Sequence, residues 1–325
     1  MLQTRYIDRC FQPDNLSWKG VMDALVAGHL LPRAIVTDSV LEHGRNRLLN
    51  RSAWIDGLGY AVKSVTVFPD NTTREHSLPS VQGMCTVFDE FTGQASVIID
   101  SELLTYWKTA ADSVLGAKLL GPSEPEHLVI IGAGQVARSL IEAYTALFPS
   151  IEIVTICARR IQSAELLMQI MAVEKQHVRF ALKASTDPAD VVPFGDIVAT
   201  ATTSETPVLQ GSWLKAGAHV DLVGAYTISM READDLTLQR GALYVDSRDT
   251  TVGHNGELVI PLASGAIQPD GILGDLYDLI AGRPRVIEQS RSSDQITVFK
   301  NGGGAHLDLM VAHHLMLMFF DAENA

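Results

Sequence analysis

The chain has little of what marks a membrane, secreted or nucleic-acid-binding protein. Its three cysteines, Cys10, Cys85 and Cys157, are scattered through 325 residues. They make no Cys-x-x-Cys pair and no metal-ligand spacing, which excludes a disulfide framework and a cysteine-built metal site. Reduced thiols in a cytoplasmic protein are the expectation. Long apolar runs are also missing. The longest, such as Leu128–Ile131 and Leu315–Phe320, fall far short of a bilayer span, and no signal-peptide pattern is read in the first residues. Basic residues are in deficit. A net charge of −13 disfavours nucleic acid and anionic membrane as partners. It leaves anionic small molecules open, because local cations decide those. No low-complexity tract and no short-period repeat interrupts the chain.

What is present is a dinucleotide signature. The apolar stretch His127-Leu-Val-Ile-Ile131 runs into Gly132-Ala-Gly134-Gln135-Val136-Ala137, a Gly-x-Gly-x-x-Ala turn between a strand and a helix. Gly132 permits the tight turn, and Gly134 lets backbone N–H groups approach a pyrophosphate. Ala137 allows the helix to pack close to the strand. The N–H groups and positive dipole end of the helix then face the phosphates. Gly132, Gly134, Gln135 and Val136 are the candidate cofactor-binding residues of this turn.

A regular alternation surrounds it. Strand 127–131 leads to helix 134–147, strand Ile151–Cys157 to helix 161–174, and strand Val178–Leu182 to a short helix near 187–193. Strands at Ile197–Thr200, His219–Val223 and Ala242–Val245 follow. Strands alternating with helices predict an α/β protein with a Rossmann-type, doubly wound parallel sheet. Before it, apolar spacing predicts a helix over 17–31 capped by Ser17. Residues 45–100 read mainly as strands, with a hairpin about Thr92-Gly93, and 101–120 read as a helix. A last strand, Gln295–Lys300, precedes a helix over 305–320. The predicted domains are therefore 121–299 for the dinucleotide, and 1–120 with 300–325 as an α+β domain for substrate.

The second strand of such a unit normally ends in an acid that grips the adenosine ribose. Here it ends Cys157-Ala158-Arg159-Arg160. Two guanidiniums in that position suit a 2′-phosphate. Cations at a helix start are disfavoured unless an anion compensates them. NADP(H) is therefore preferred, with NAD(H) as the alternative.

The first domain carries cations in an apolar context. Lys63, within Ala61-Val-Lys-Ser-Val65, is a mid-strand lysine that needs a partner or a job. Lys108 opens Lys-Thr-Ala-Ala-Asp-Ser113, and Arg33 follows the first helix. Together they point to a carboxylate-bearing substrate.

With these segments in view, nearly the whole chain resembles the ornithine cyclodeaminase/μ-crystallin family. The carriers are Ala61–Asn71, Lys108–Ser113 and Gly132–Ala137. Val223-Gly-Ala-Tyr-Thr227 with Met230-Arg-Glu232, and Ile296–Lys300, add to them. The resemblance implies a homodimer joined through the first domain, with substrate held between the domains. It implies that Arg33, Lys63 and Lys108 hold the substrate carboxylate, with Arg45, Arg47 and Arg51 as competitors for the first role. Ser80 matches a hydroxyl lining the site. Thr109, Gln135, Thr202 and Val223 match cofactor-contacting positions.

Two departures redirect the chemistry. Lys108 stands where the family has arginine, trading a bidentate fork for a point charge. The turn Val223-Gly224-Ala225-Tyr226 lacks the aspartate with which cyclodeaminases engage the substrate's side-chain amine. Tyr226 at this strand end is a candidate substrate contact. Reduction of a cyclic ketimine with NADPH is the expected reaction, on Δ1-pyrroline-2-carboxylate or its six-membered homologue. Lys63 would act as proton source or as fixed charge. The alternatives are ornithine or lysine cyclodeamination with recycled NAD, amino-acid dehydrogenation, and a catalytically idle NADPH binder. His306, His313 and His314 read as packing or surface residues. No metal is proposed, and His254-Asn-Gly-Glu257 reads as a loop turn.

Overall fold

The computed structural model describes residues 4–73, 76, 78–174, 179–282 and 293–324. The chain divides into two units, residues 1–108 with 304–325 and residues 109–303.

In the first unit, β1 (Arg5–Ile7) precedes α1 (Trp18–His29). Four strands follow in antiparallel succession, β2 (Ile35–His43), β3 (Asn46–Ile55), β4 (Gly59–Val67) and β5 (Val81–Phe88), then β6 (Ala95–Asp100). The sheet order is β1-β6-β5-β4-β3-β2, with only β1–β6 parallel. Ser17 caps α1 by accepting from Gly20 N at 3.2 Å, as its hydroxyl predicts. The expected hairpin about Thr92-Gly93 is present, with β5 and β6 antiparallel. β2 escapes sequence reading because nearly all of its residues are exposed, so it writes no burial alternation.

The two faces of this sheet differ. On β4, Ala61, Lys63 and Val65 point to the buried side, which the last helix covers from β2 to β5 while also lying on α1. Gly28 of α1 is pressed against Met310 of that helix, where a Cβ would meet the thioether. On the other side, Ile35, Leu41, Trp54 and Met84 are exposed, and cross-strand pairing places them on one face. A shallow depression of about 530 Å³, bordered by Leu48, Val62, Met84 and Phe88, opens there.

The second unit begins inside α2 (Ser101–Leu120). Residues 109–120 group with it because Gly116 lies on Phe299 and Ser113 bonds Asp221. The sequence alone places them with the first domain. The elements then run β7 (His127–Ile131), α3 (Gln135–Leu147), β8 (Ile153–Cys157), α4 (Ile161–Glu174), β9 (Ala181–Ser185), α5 (Pro188–Val191), β10 (Ile197–Thr200) and β11 (His219–Leu222). After them come α6 (Asp235–Arg240), β12 (Ala242–Val245), α7 (Arg248–Thr251), α8 (Gly256–Ser264), β13 (Ile272–Gly274), α9 (Leu276–Ile280) and β14 (Thr297–Lys300). The last helix, α10 (Ala305–Asn324), returns to the first unit.

The eight strands are parallel in the order β13-β12-β14-β11-β10-β7-β8-β9, the doubly wound sheet predicted. β7, β10, β11, β12 and β14 are buried along nearly their whole length, as strands covered on both faces must be. Two elements differ from the sequence reading. The third strand of the unit is Ala181–Ser185, set by pairing with Ile153–Cys157; Val178 lies outside the described residues. The His254–Glu257 turn is one only at its start, since Asn255 is the N-cap of α8 and Glu257 is buried in the helix's first turn. No helix among the described residues is long and apolar enough to cross a membrane.

Candidate active site

The first unit gathers a cationic cluster around one carboxylate. Lys63 is 7% exposed. Its Nζ donates to Thr105 Oγ1 on α2 at 2.8 Å and to Asp308 Oδ1 on α10 at 3.0 Å. Asp308 is fully buried. Burial alone would raise its carboxyl, but the charges of Lys63, Lys108 and Arg51 and the Lys63 hydrogen bond outweigh it and hold it below the usual carboxylate range. Two residues earlier on α10, His306 is driven well below the ordinary imidazole value, first by burial and then by His29, Lys108, Arg51 and Arg33. Cys85 on β5 borders the same pair, and burial pushes its thiol up.

The predicted cations separate by place. Lys63 and Lys108 are buried. Arg51 pairs in register with Lys63 and is held by Asp38 at 3.0 Å. Arg33 is exposed just after α1, yet its charge reaches His306. Arg45 and Arg47 are engaged in exposed ion pairs with Asp70 and Glu42. Ser80, half-buried before β5, accepts from Phe68 N through its carbonyl at 2.7 Å. Thr105, His306 and Asp308 are the members sequence reasoning missed. The signal was available: a buried lysine requires a counter-charge, and Asp308 is an acid inside the apolar run Leu307–Ala312.

The second unit carries the candidate nucleotide site. β7 is the strand at which order reverses, with β8 and β9 on one side and β10 and β11 on the other. Ligands bind beyond the carboxyl ends of strands at such a switch point. Gly132 occupies this point with φ +133°, and a Cβ there would strike Ala201 O. Its N–H donates to Cys157 O at 2.8 Å. Gly134 is the N-cap of α3 and makes no side-chain cap bond. A Cβ on it would meet nothing within 4 Å. The open N–H groups of a 13-residue helix beside free space fit a pyrophosphate. Gln135 is exposed, Val136 half-buried and Ala137 fully buried against the sheet. Arg159 and Arg160 are exposed at the carboxyl end of β8, and among the described residues no ion pair engages them.

Thr109, Thr202 and Val223 lie in this unit. The Thr109 carbonyl accepts from Asn301 Nδ2 at 3.0 Å, Thr202 follows β10, and Val223 follows β11, donating to Thr200 O at 3.0 Å. Tyr226, 58% exposed, stands three residues beyond Val223. Glu232 is turned inward and occupied by backbone and hydroxyl donors. Among the described residues, no group of three or more His, Cys, Asp or Glu side chains is placed to hold a metal.

A family model described as "Ornithine cyclodeaminase/mu-crystallin family" matches residues 42–316. A Delta(1)-pyrroline-2-carboxylate reductase of Paracoccus denitrificans is 50% identical over 300 residues, 92% of each chain. The ketimine reductase mu-crystallin of Mus musculus is 32% identical over 77% of this chain and 73% of its own. Among solved structures, the Thermococcus litoralis Delta(1)-pyrroline-2-carboxylate reductase in complex with NADH and L-proline aligns with a TM-score of 0.90 at 25% identity, covering 98% of both chains.

Proposed function

The chain belongs to the ornithine cyclodeaminase/mu-crystallin family, and on that premise we propose that it reduces a cyclic ketimine carboxylate to the L-imino acid. The substrates are Δ1-pyrroline-2-carboxylate or its six-membered homologue, and the reductant is NADPH. It is an NAD(P)-dependent oxidoreductase acting on C=N bonds.

The observation that carries this reading is the turn after β11. Tyr226 is exposed there, and the nearby acids Glu232 and Glu257 are buried and spent on backbone N–H groups. A free ω-amine, which a cyclodeaminase must anchor and activate, finds no carboxylate in this turn. A substrate already closed into a ring needs none.

When bound, the nicotinamide cofactor would supply the hydride that C2 of the imine accepts. Arg33, Arg51 and Lys108 hold the α-carboxylate, and their fixed positions orient the ring. Lys63 donates the proton, or its full charge, at the imine nitrogen. Asp308 and Thr105 fix the direction of its Nζ. Ser80 in the first unit and Tyr226 in the second are each candidate substrate contacts. On the cofactor side, Gly132, Gly134, Gln135 and Val136 receive the pyrophosphate, Arg159 and Arg160 the 2′-phosphate, and Thr109, Thr202 and Val223 the remainder. NADP(H) is favoured over NAD(H) by the two arginines. The exposed apolar face of the first sheet supports a homodimer, and three free cysteines suit a cytoplasmic protein.

The test is a screen of both cyclic imines, ornithine and alanine with NADPH and NADH. Turnover of an imine with NADPH is expected. Ammonia release from ornithine without added reductant would overturn the assignment in favour of the cyclodeaminase.

A further inference from the structure

We infer that Glu232 is the positioning residue for the nicotinamide half of the cofactor, acting through the two loops it ties together. This rests on the cofactor reading above.

Glu232 is fully buried, and its carboxylate accepts five hydrogen bonds. Oε1 takes Thr202 N at 2.6 Å and Thr202 Oγ1 at 2.8 Å. Oε2 takes Thr200 Oγ1 at 2.8 Å, Gly224 N at 2.6 Å and Ala225 N at 3.3 Å. All five donors lie at the carboxyl ends of β10 and β11, adjacent strands paired Thr200 to Leu222. The loops are drawn so close that a Cβ on Gly224 would strike Thr202 O, Thr202 N and Glu232 Oε1.

Glu232 is itself held in place. A second buried carboxylate, Glu257 on α8, accepts from Glu232 N at 2.8 Å and Ala233 N at 2.9 Å. The Glu232 carbonyl accepts from Val208 N and Leu209 N. Neighbouring Lys300 donates to Leu222 O at 2.9 Å, fixing the end of β11 from its other side.

The location gives the arrangement its purpose. A dinucleotide lies across the switch point, one mononucleotide on each side. The β8 side carries Arg159 and Arg160 and takes the adenosine phosphate. The β10 and β11 side, whose loops Glu232 sets, is left for the nicotinamide half. Burying an acid is costly unless its acceptors are fully used, and here each oxygen binds one loop or spans both. Charge-assisted bonds of this kind are strong. Replacement by glutamine puts an amide NH₂ against donors on one side or the other, so one loop must shift.

The experiment measures binding to the full chain without substrate, using NADPH and, as a probe of the adenosine half alone, 2′,5′-ADP. For Glu232→Gln, NADPH should weaken about 10- to 100-fold, with 2′,5′-ADP affinity kept within about twofold and kcat reduced. Equal weakening of both ligands would mean a merely structural residue and overturns the inference, as does unchanged NADPH binding. Should Glu232→Gln not fold, Thr202→Val removes one hydroxyl donor and leaves the carboxylate. The same split is expected, about three- to tenfold in size, and its absence overturns the inference equally. A wild-type chain that binds neither NADPH nor NADH overturns the cofactor reading and this inference together.

Discussion

Lys63 on β4 and Asp308 on the last helix, 245 positions apart in sequence, form a buried ion pair with Nζ 3.0 Å from Oδ1. Thr105 takes a second Nζ proton. Removing one partner of a buried pair strands the other charge, at about 3–5 kcal/mol. Asparagine at 308 keeps the shape and an acceptor, so Asp308→Asn should fold. It leaves Lys63 among Lys108 and Arg51 without a counter-charge. We expect Lys63→Ala to lower kcat/KM about 100- to 10,000-fold and Asp308→Asn about 10- to 100-fold. Arg47→Ala is the proper control, since Arg47 is exposed and paired with Glu42. It should stay within about twofold, as surface pairs contribute little. Equal small losses for all three would remove Lys63 from the chemistry.

The proposed preference for NADPH rests on Arg159 and Arg160. Each charged hydrogen bond to a 2′-phosphate contributes about 1.5–3 kcal/mol. Converting both to alanine should therefore raise the KM for NADPH at least about tenfold while leaving NADH nearly unchanged. A wild-type enzyme that already uses NADH better than NADPH contradicts the assignment outright.

The Rossmann-type unit was legible because its signal is local. An apolar strand, two glycines and a helix start occupy adjacent positions, and the backbone geometry at Gly132 follows from them. The alternation of β7 to β12 was legible for the same reason. Asp308 was not, because its meaning depends on a helix returning across 245 positions, and spacing along that helix is silent about it. β2 and the elements from α7 to α9 were missed on other grounds. β2 is exposed on both faces, while α7 and α9 are four and five residues long, too short for a helical period to register. Glu232 illustrates a third limit. Its sequence neighbours mark a motif, but only folding shows that its five donors come from two other loops.

The two glycines of the turn should behave differently. At Gly132 a side chain meets Ala201 O in a backbone region that disfavours one, so Gly132→Ala should lose stability by about 1–3 kcal/mol along with cofactor binding. At Gly134 the backbone is ordinary and the space is open. Gly134→Val should melt within a few degrees of wild type yet bind NADPH at least about tenfold more weakly, because the new side chain takes the space of the pyrophosphate. Circular dichroism melts alongside fluorescence titration separate the two. Retained NADPH affinity in Gly134→Val would place the phosphates elsewhere.

Two buried groups in β11 should oppose each other in acid. Burial drives His219 down to about 3, so the folded chain refuses a proton that the unfolded chain takes up below its ordinary value near 6.5. The stability from His219 is full above about pH 6.5 and is lost as pH falls towards 3. Burial pushes Asp221 up to about 7, against hydrogen bonds from Ser113 and Tyr144. Its contribution is full below about pH 4 and is lost as pH rises to 7. Between about pH 5 and about pH 6 each group contributes a slope of about 1.4 kcal/mol per pH unit, with opposite signs. Urea unfolding of His219→Asn and Asp221→Asn at both pH values resolves them. The gap to wild type should narrow on acidification for the first variant and on raising pH for the second. A gap that does not change with pH for either variant would show that its group ionises in the folded chain as it does in water.

The exposed face of the first sheet gives the last prediction. Met84 is 49% exposed and borders the depression with Leu48 and Val62. Leu41 and Trp54 extend the same apolar face. A contiguous patch of this kind marks an interface, and a two-fold dimer uses the same patch twice. One charge placed at its centre is therefore repeated against itself in the dimer. Met84→Glu should shift sedimentation from dimer to monomer with the far-UV spectrum unchanged, since Met84 faces away from Lys63 and the core of its own unit. A wild-type chain that sediments as a monomer at about 10 μM, a concentration at which an obligate interface of more than about 2,000 Å² remains closed, would remove the dimer from the proposal.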